Sequence, residues 1–162
     1  MHNRARIAAG LVCLMVCALL GSGTALSLSG SGPDQALTPT RDWQQLEGDG
    51  EHWYAFRYAG DDSQVQVRLR AVPEASVDLE VWSPERVRKW RLGLESDPVG
   101  RGSADPYAYG VLSWSGSFPV AGTYYVVVGR AVVAADRPAM CHYLLELGGD
   151  GVSAVPQLSL IH

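Results

Sequence analysis

Three kinds of residue in this chain could do chemistry: a cysteine with its neighbouring histidine, clustered acids, and tryptophans. Cys141 and His142 are adjacent. A thiol beside an imidazole is the material of a nucleophile and its base. Neighbours along a strand, however, point to opposite faces, so this pair is not built to meet. His52 lies in an aromatic segment and His162 at the C-terminus, and no Gly-x-Ser-x-Gly elbow surrounds any serine. His52 and His142 therefore read as structural or surface residues, and the chain reads as non-enzymatic. Glu47, Asp49 and Glu51 precede one predicted strand and Asp61 and Asp62 follow it. Calcium takes several oxygen ligands from loops, which makes Asp49, Glu51, Asp61 and Asp62 candidate ligands. The spacing matches no EF-hand loop, and solvated turn acids are the other reading; no cofactor is required. Five tryptophans remain: Trp43, Trp53, Trp82, Trp90 and Trp114. Such rings stack on ligands, anchor interfaces or fill a core. Trp82 alternates away from Val77, Leu79 and Val81, and Trp90 sits among Arg86, Arg88, Lys89 and Arg91. Trp82 and Trp90 are the candidate ligand-binding pair.

The segment ahead of these residues has the form of a leader. Arg4 and Arg6 precede an uncharged run from Ile7 to Leu20, and Gly23 and Ala25 suit a cleavage site. That is the layout of a secretory signal peptide over residues 1–25. The run is shorter than the roughly 20 residues a bilayer span needs; an uncleaved anchor is the alternative. Cleavage would leave 137 residues, with 11 basic and 17 acidic side chains and so a net charge of −6. One domain of ordinary size fits that length. The acidic balance argues against nucleic acid or an anionic membrane as partner. Cys141 would then have no internal disulfide partner, and it is expected to be buried at the start of an apolar strand, with pairing between chains as the alternative.

The positioning elements read as short strands. Residues 26–41 are rich in Ser, Gly and Pro and read as a flexible linker. In His52–Tyr58, Trp53, Ala55 and Arg57 share one face and Tyr54, Phe56 and Tyr58 the other. In Gln64–Ala71, Val65, Val67, Leu69 and Ala71 alternate with polar residues, which predicts one face in a core and one in water. Val77–Trp82, Tyr107–Trp114, Gly122–Gly129 and Cys141–Leu147 are further predicted strands. Tyr124, Val126 and Val128 fall opposite Tyr125 and Val127, the pattern of a central strand covered on both sides. Arg86–Leu92 is taken as a strand, although Val87 and Trp90 also have helical spacing. Glu95–Pro106 is the longest predicted loop and a place to look for function. Residues 134–138 read as a turn, and 150–162 as a loose tail beyond a domain spanning 42–149. The sum is an all-β, antiparallel, jelly-roll-like β-sandwich of about seven or eight strands.

The order of these pieces resembles the bacterial pre-peptidase C-terminal domain, whose relatives include the collagen-binding domains of clostridial collagenases. The segments that carry the resemblance are His52–Tyr58, Gln64–Leu69, Val77–Trp82, Gly116–Val128 and Tyr143–Leu147, across roughly Trp43 to Leu147. The resemblance implies a sandwich that accompanies secreted peptidases. It also implies that acids near the domain entrance hold calcium. The function expected is an exported, non-catalytic binding or accessory module, secreted or otherwise extracytoplasmic. Its partner would be a polysaccharide, an extracellular protein or a separately encoded peptidase. The alternative is a structural envelope protein that self-associates through exposed sheet edges.

Overall fold

In β3 (Val65–Val72) every second residue is buried, the pattern of a strand with one face in a core. The computed structural model describes residues 29–132 and 140–155. The expected signal peptide, the 134–138 turn and the end of the tail lie outside the described residues. Within them the chain forms ten strands and one α-helix. β1 (Gln44–Glu47), β9 (Met140–Gly148), β3, β7 (Val111–Gly116) and β6 (Ser103–Ala104) make one five-stranded sheet in that order. β10 (Val152–Ala154), β2 (His52–Tyr58), β8 (Gly122–Arg130), β4 (Val77–Trp82) and β5 (Gly100–Arg101) make the other. All ladder pairs are antiparallel. Most connections pass from one sheet to the other, as in the sandwich expected.

The inner faces meet in one apolar core. The first sheet contributes Val65, Val67, Leu69, Cys141, Tyr143 and Leu145; the second contributes Tyr54, Phe56, Leu79, Val81, Val126 and Val128. The two faces of β2 divide as the alternation predicts, with Tyr54 and Phe56 in this core and Trp53 and Ala55 in a second layer. β8, paired with β2 on one side and β4 on the other, is buried on both faces.

The second layer is closed by a helix that the sequence reading had as a strand. Residues 84–91 form α1 (Pro84–Arg91). Ser83–Pro84 begins it: the Ser83 hydroxyl accepts from the Arg86 amide at 3.4 Å, and Pro84 supplies a fixed φ in the first turn. Gly93, at φ 68°, follows the Leu92 cap, a left-handed position that favours glycine. α1 lays Val87 onto Trp53, Trp82, Tyr125 and Val127. The stretch expected as a linker also has a place on this sheet. Leu37 accepts from Ala55 N and donates to Trp53 O, so residues 30–37 run beside β2, next to β10 on the same edge. β10 in turn begins two residues into the stretch expected as a tail. Its backbone groups complete the β2 ladder from Phe56 to Tyr58.

Candidate functional site

His52, expected to be a structural or surface residue, is engaged in packing. The His52 Nδ1 atom lies 2.5 Å from the Tyr143 hydroxyl, which lies 2.6 Å from that of Tyr54. This chain of partners satisfies two buried hydroxyls that would otherwise each cost about 1–3 kcal/mol. Burial pushes the Tyr143 phenol far above its ordinary value and raises that of Tyr54; burial also lowers the His52 pKa below 6.5. Folded His52 thus binds a proton less readily than unfolded His52. Its contribution to stability is complete above pH 6.5 and declines as pH falls from there toward the depressed folded value. Unfolding followed between pH 7.5 and 5 should show a loss that His52→Gln reduces; equal slopes for both proteins would refute this assignment. Cys141 is buried, as expected, while His142 is exposed on the opposite face of β9. The two do not form a pair.

The four acids named for calcium are not brought together. Asp49 and Glu51 precede β2 and Asp61 and Asp62 follow it, and seven residues of strand span about 23 Å. Asp61 is occupied locally: its Oδ1 accepts from the Ser63 hydroxyl at 2.7 Å and amide at 3.1 Å, which lowers its pKa. Glu51 accepts from the Trp53 indole at 2.7 Å. Asp49 and Glu51 instead line a shallow concavity with Asp78 and Glu80 on the outer face of the second sheet. Among the described residues, no group of three His, Cys, Asp or Glu side chains is arranged to hold a metal ion.

The tryptophan pair also changes meaning. Trp82, expected on the surface, is 7 % exposed. It points outward on β4, as the alternation predicts, but α1 covers that face. Its indole donates to Glu80 at 3.0 Å. Trp90 is 43 % exposed, and its ring centroid is 5.3 Å from that of Trp53. Trp53 also touches Trp82 and Tyr125, with centroids 5.9 and 6.0 Å away. Trp82 and Trp90 therefore flank a buried ring rather than forming an open platform.

The open surface lies on the other sheet. No described helix covers its outer face, where Arg68, Arg70 and Val72 of β3 stand opposite Glu146, Leu144 and His142 of β9, and Met140 opposite Glu47 of β1. At its edge, the segment predicted as the first half of a strand is a turn between β6 and β7. Asp105 N donates to Val111 O, Ala108 N to Asp105 O, and Val111 N to Ala108 O. The Asp105 carboxylate accepts from Tyr107 N at 2.9 Å and pairs with Arg68 at 3.6 Å. This turn holds Tyr107 and Tyr109 at 97 % and 91 % exposure.

No protein-family model matches the chain, and no curated protein matches it. Among solved structures, it is similar to the Aeromonas hydrophila protein PliG, a periplasmic lysozyme inhibitor of g-type lysozyme. The identity is 15 %, the match covers 70 % of this chain and 96 % of that one, and the TM-score is 0.39. A likeness of that degree carries no argument about this chain.

Neither tyrosine stood out in the sequence, because alternating aromatic residues are also what a strand looks like. The available signal was the bracket of Asp105–Pro106 and Gly110, turn formers at both ends of a short segment. Beside the turn is an apolar cleft of about 310 Å³, bordered by Val77, Ala104, Ala108, Tyr109 and Leu112. Gly110, at φ 70°, lets the chain pass within contact of Glu74, where a Cβ would meet the carboxylate carbon at 2.9 Å. The negative charge of the nearby Glu74 carboxylate raises the Tyr109 pKa.

Proposed function

We propose that this chain is an exported, non-catalytic module that binds another protein through the open outer face of the β1–β9–β3–β7–β6 sheet. The observation that carries the reading is the composition of that face. It sets Val72, Met140 and Leu144 among the polar Gln66, Arg68, Arg70 and Glu146, with two exposed tyrosines at its rim. Arg, Met and Tyr are enriched where proteins meet. The resemblance to pre-peptidase C-terminal domains supports a partner among extracellular proteins, including a separately encoded peptidase. A polysaccharide is less well served, because the Asp105 carboxylate beside Tyr107 already has partners within the chain.

The self-associating alternative is disfavoured by the edges. The four outermost strands have two to four residues each, and residues 30–37 further cover β2. Short, covered edges offer little ladder for another copy. The test is the pair Arg70→Glu with Val72→Asp on the exposed face of β3. Retention of an extracellular partner should fall at least tenfold, with the thermal midpoint unchanged. Undiminished retention would overturn the reading, and concentration-dependent assembly in sedimentation would favour the alternative.

A further inference from the structure

We infer that the 105–110 turn is a contact element that inserts Tyr107 and Tyr109 into an apolar cleft of a folded partner protein. This rests on the protein-binding reading above and adds which part of the surface makes the central contact, and to what kind of surface.

Shape comes first. Two rings one residue apart are exposed at 97 % and 91 %. Their neighbours Ala104, Ala108 and Gly110 are small and leave them standing clear of the fold. A convex element of this kind is complementary to a concave surface, not to a flat one. Tyrosine is among the residues enriched where proteins meet.

Order comes second. Three backbone hydrogen bonds close the turn, the Asp105 carboxylate holds Tyr107 N, and Arg68 ties Asp105 to the sheet. Glu74, from the β3–β4 turn, lies against Gly110 at the end of the turn. The rings are thus presented on an ordered scaffold, and binding them costs less conformational entropy than ordering a loose loop would. Tyrosine suits the role because it offers a large, rigid contact area with few rotatable bonds.

Chemistry comes third. Asp105, the carboxylate that anchors the turn, is occupied by Arg68 and the Tyr107 amide. The rings are left as apolar faces with hydroxyl tips. That matches an apolar cleft better than a sugar, which needs several free polar groups converging around the stacked ring. The 310 Å³ cleft beside Tyr109 adds an apolar recess that the partner's rim would fill.

The test places the photo-cross-linker p-benzoylphenylalanine at one position at a time in the full chain, expressed in its source organism. The positions are Tyr107, Tyr109, Val72 on the open sheet face, and Ser153 on β10 as a control. The expected result is a discrete protein adduct from positions 107 and 109 and none from 153, with the cross-link mapping inside a cleft of the partner. In addition, Tyr107→Ala with Tyr109→Ala should lower the adduct yield at position 72 at least tenfold without changing the thermal midpoint. Protein adducts at 72 but not at 107 or 109 would overturn this inference and leave the binding face standing. Adducts at none of the three would overturn both. Equal adducts at 153, or a protease-resistant polysaccharide adduct at 107, would also overturn the inference.

Discussion

Replacing Trp53 by Ala is expected to destabilise the protein by about 3–5 kcal/mol, the range for removing a large buried aromatic ring. Trp53 is 2 % exposed and touches three other aromatic rings, those of Trp82, Trp90 and Tyr125. It is the floor on which α1 rests, so its removal leaves a cavity with a helix for a roof. Val87, also buried, lies in the same layer, and α1 has only eight residues. A helix that short has little stability of its own and depends on this packing. The midpoint of urea unfolding should therefore drop, and Trp90 fluorescence should report greater solvent access before global unfolding. If Trp53→Ala does not fold, Trp53→Phe provides the measurement: it keeps much of the ring volume and should lose less. Trp43→Ala is the control, because Trp43 is about half exposed and surface changes of that kind usually stay within about 0.5 kcal/mol. A loss at Trp53 similar to that at Trp43 would refute the layered packing described here.

The same cluster shows what a sequence can disclose. Alternation separates Trp53 from Tyr54 and Phe56 and sets Trp82 opposite Val77, Leu79 and Val81, and both tryptophans lie outside the main core. Alternation is a local property: it states which side of a strand a residue takes. Whether that side meets water depends on what the chain later lays over it. For the β2–β8–β4 sheet the covering element is α1, whose apolar contribution is little more than Val87 and part of Trp90 among four cations. Eight residues with so few apolar positions give no clear period, and so the segment read as a strand. The end signals were clearer than the interior, since Ser83, Pro84 and Glu85 form a helix start.

The candidate surface was less legible for a related reason. Residues in β3 that point outward were identified correctly as a polar face. Nothing in them said that this sheet stays open while the other is covered. Tyr107 and Tyr109 have the residue types of a strand but the hydrogen bonds of a turn, and only the paired structure distinguishes the two. Likewise, Leu37 is one of three leucines scattered through a Ser/Gly/Pro-rich stretch, and its pairing with Tyr54 joins positions 17 residues apart in sequence. The acids around β2 were close in sequence, yet the strand between them holds them apart.

Gly60→Ala is expected to destabilise the protein by about 2–5 kcal/mol, from two separate causes. The first is conformational: Gly60 has φ 77°, in the left-handed region where a Cβ is disfavoured by about 1–2 kcal/mol. The second is steric. A Cβ at this position would lie 2.2 Å from the amide nitrogen of Ala121 and 2.8 Å from the carbonyl carbon of Val120. Both are backbone atoms, so no rotamer change relieves the overlap. The β2–β3 turn and the Pro119–Ala121 turn would have to separate. Phe118, stacked on Tyr124 at 4.1 Å between centroids, ties that second turn to the core, so the separation would disturb aromatic packing as well. Gly48→Ala isolates the first cause, because Gly48 has φ 55° with nothing within 4 Å of the added carbon. Chemical denaturation of the two variants should give a small loss at Gly48 and a larger one at Gly60, the difference being the contribution of the turn-to-turn contact. Equal losses would mean that the two turns are not pressed together and that glycine at 60 answers only to its backbone angle.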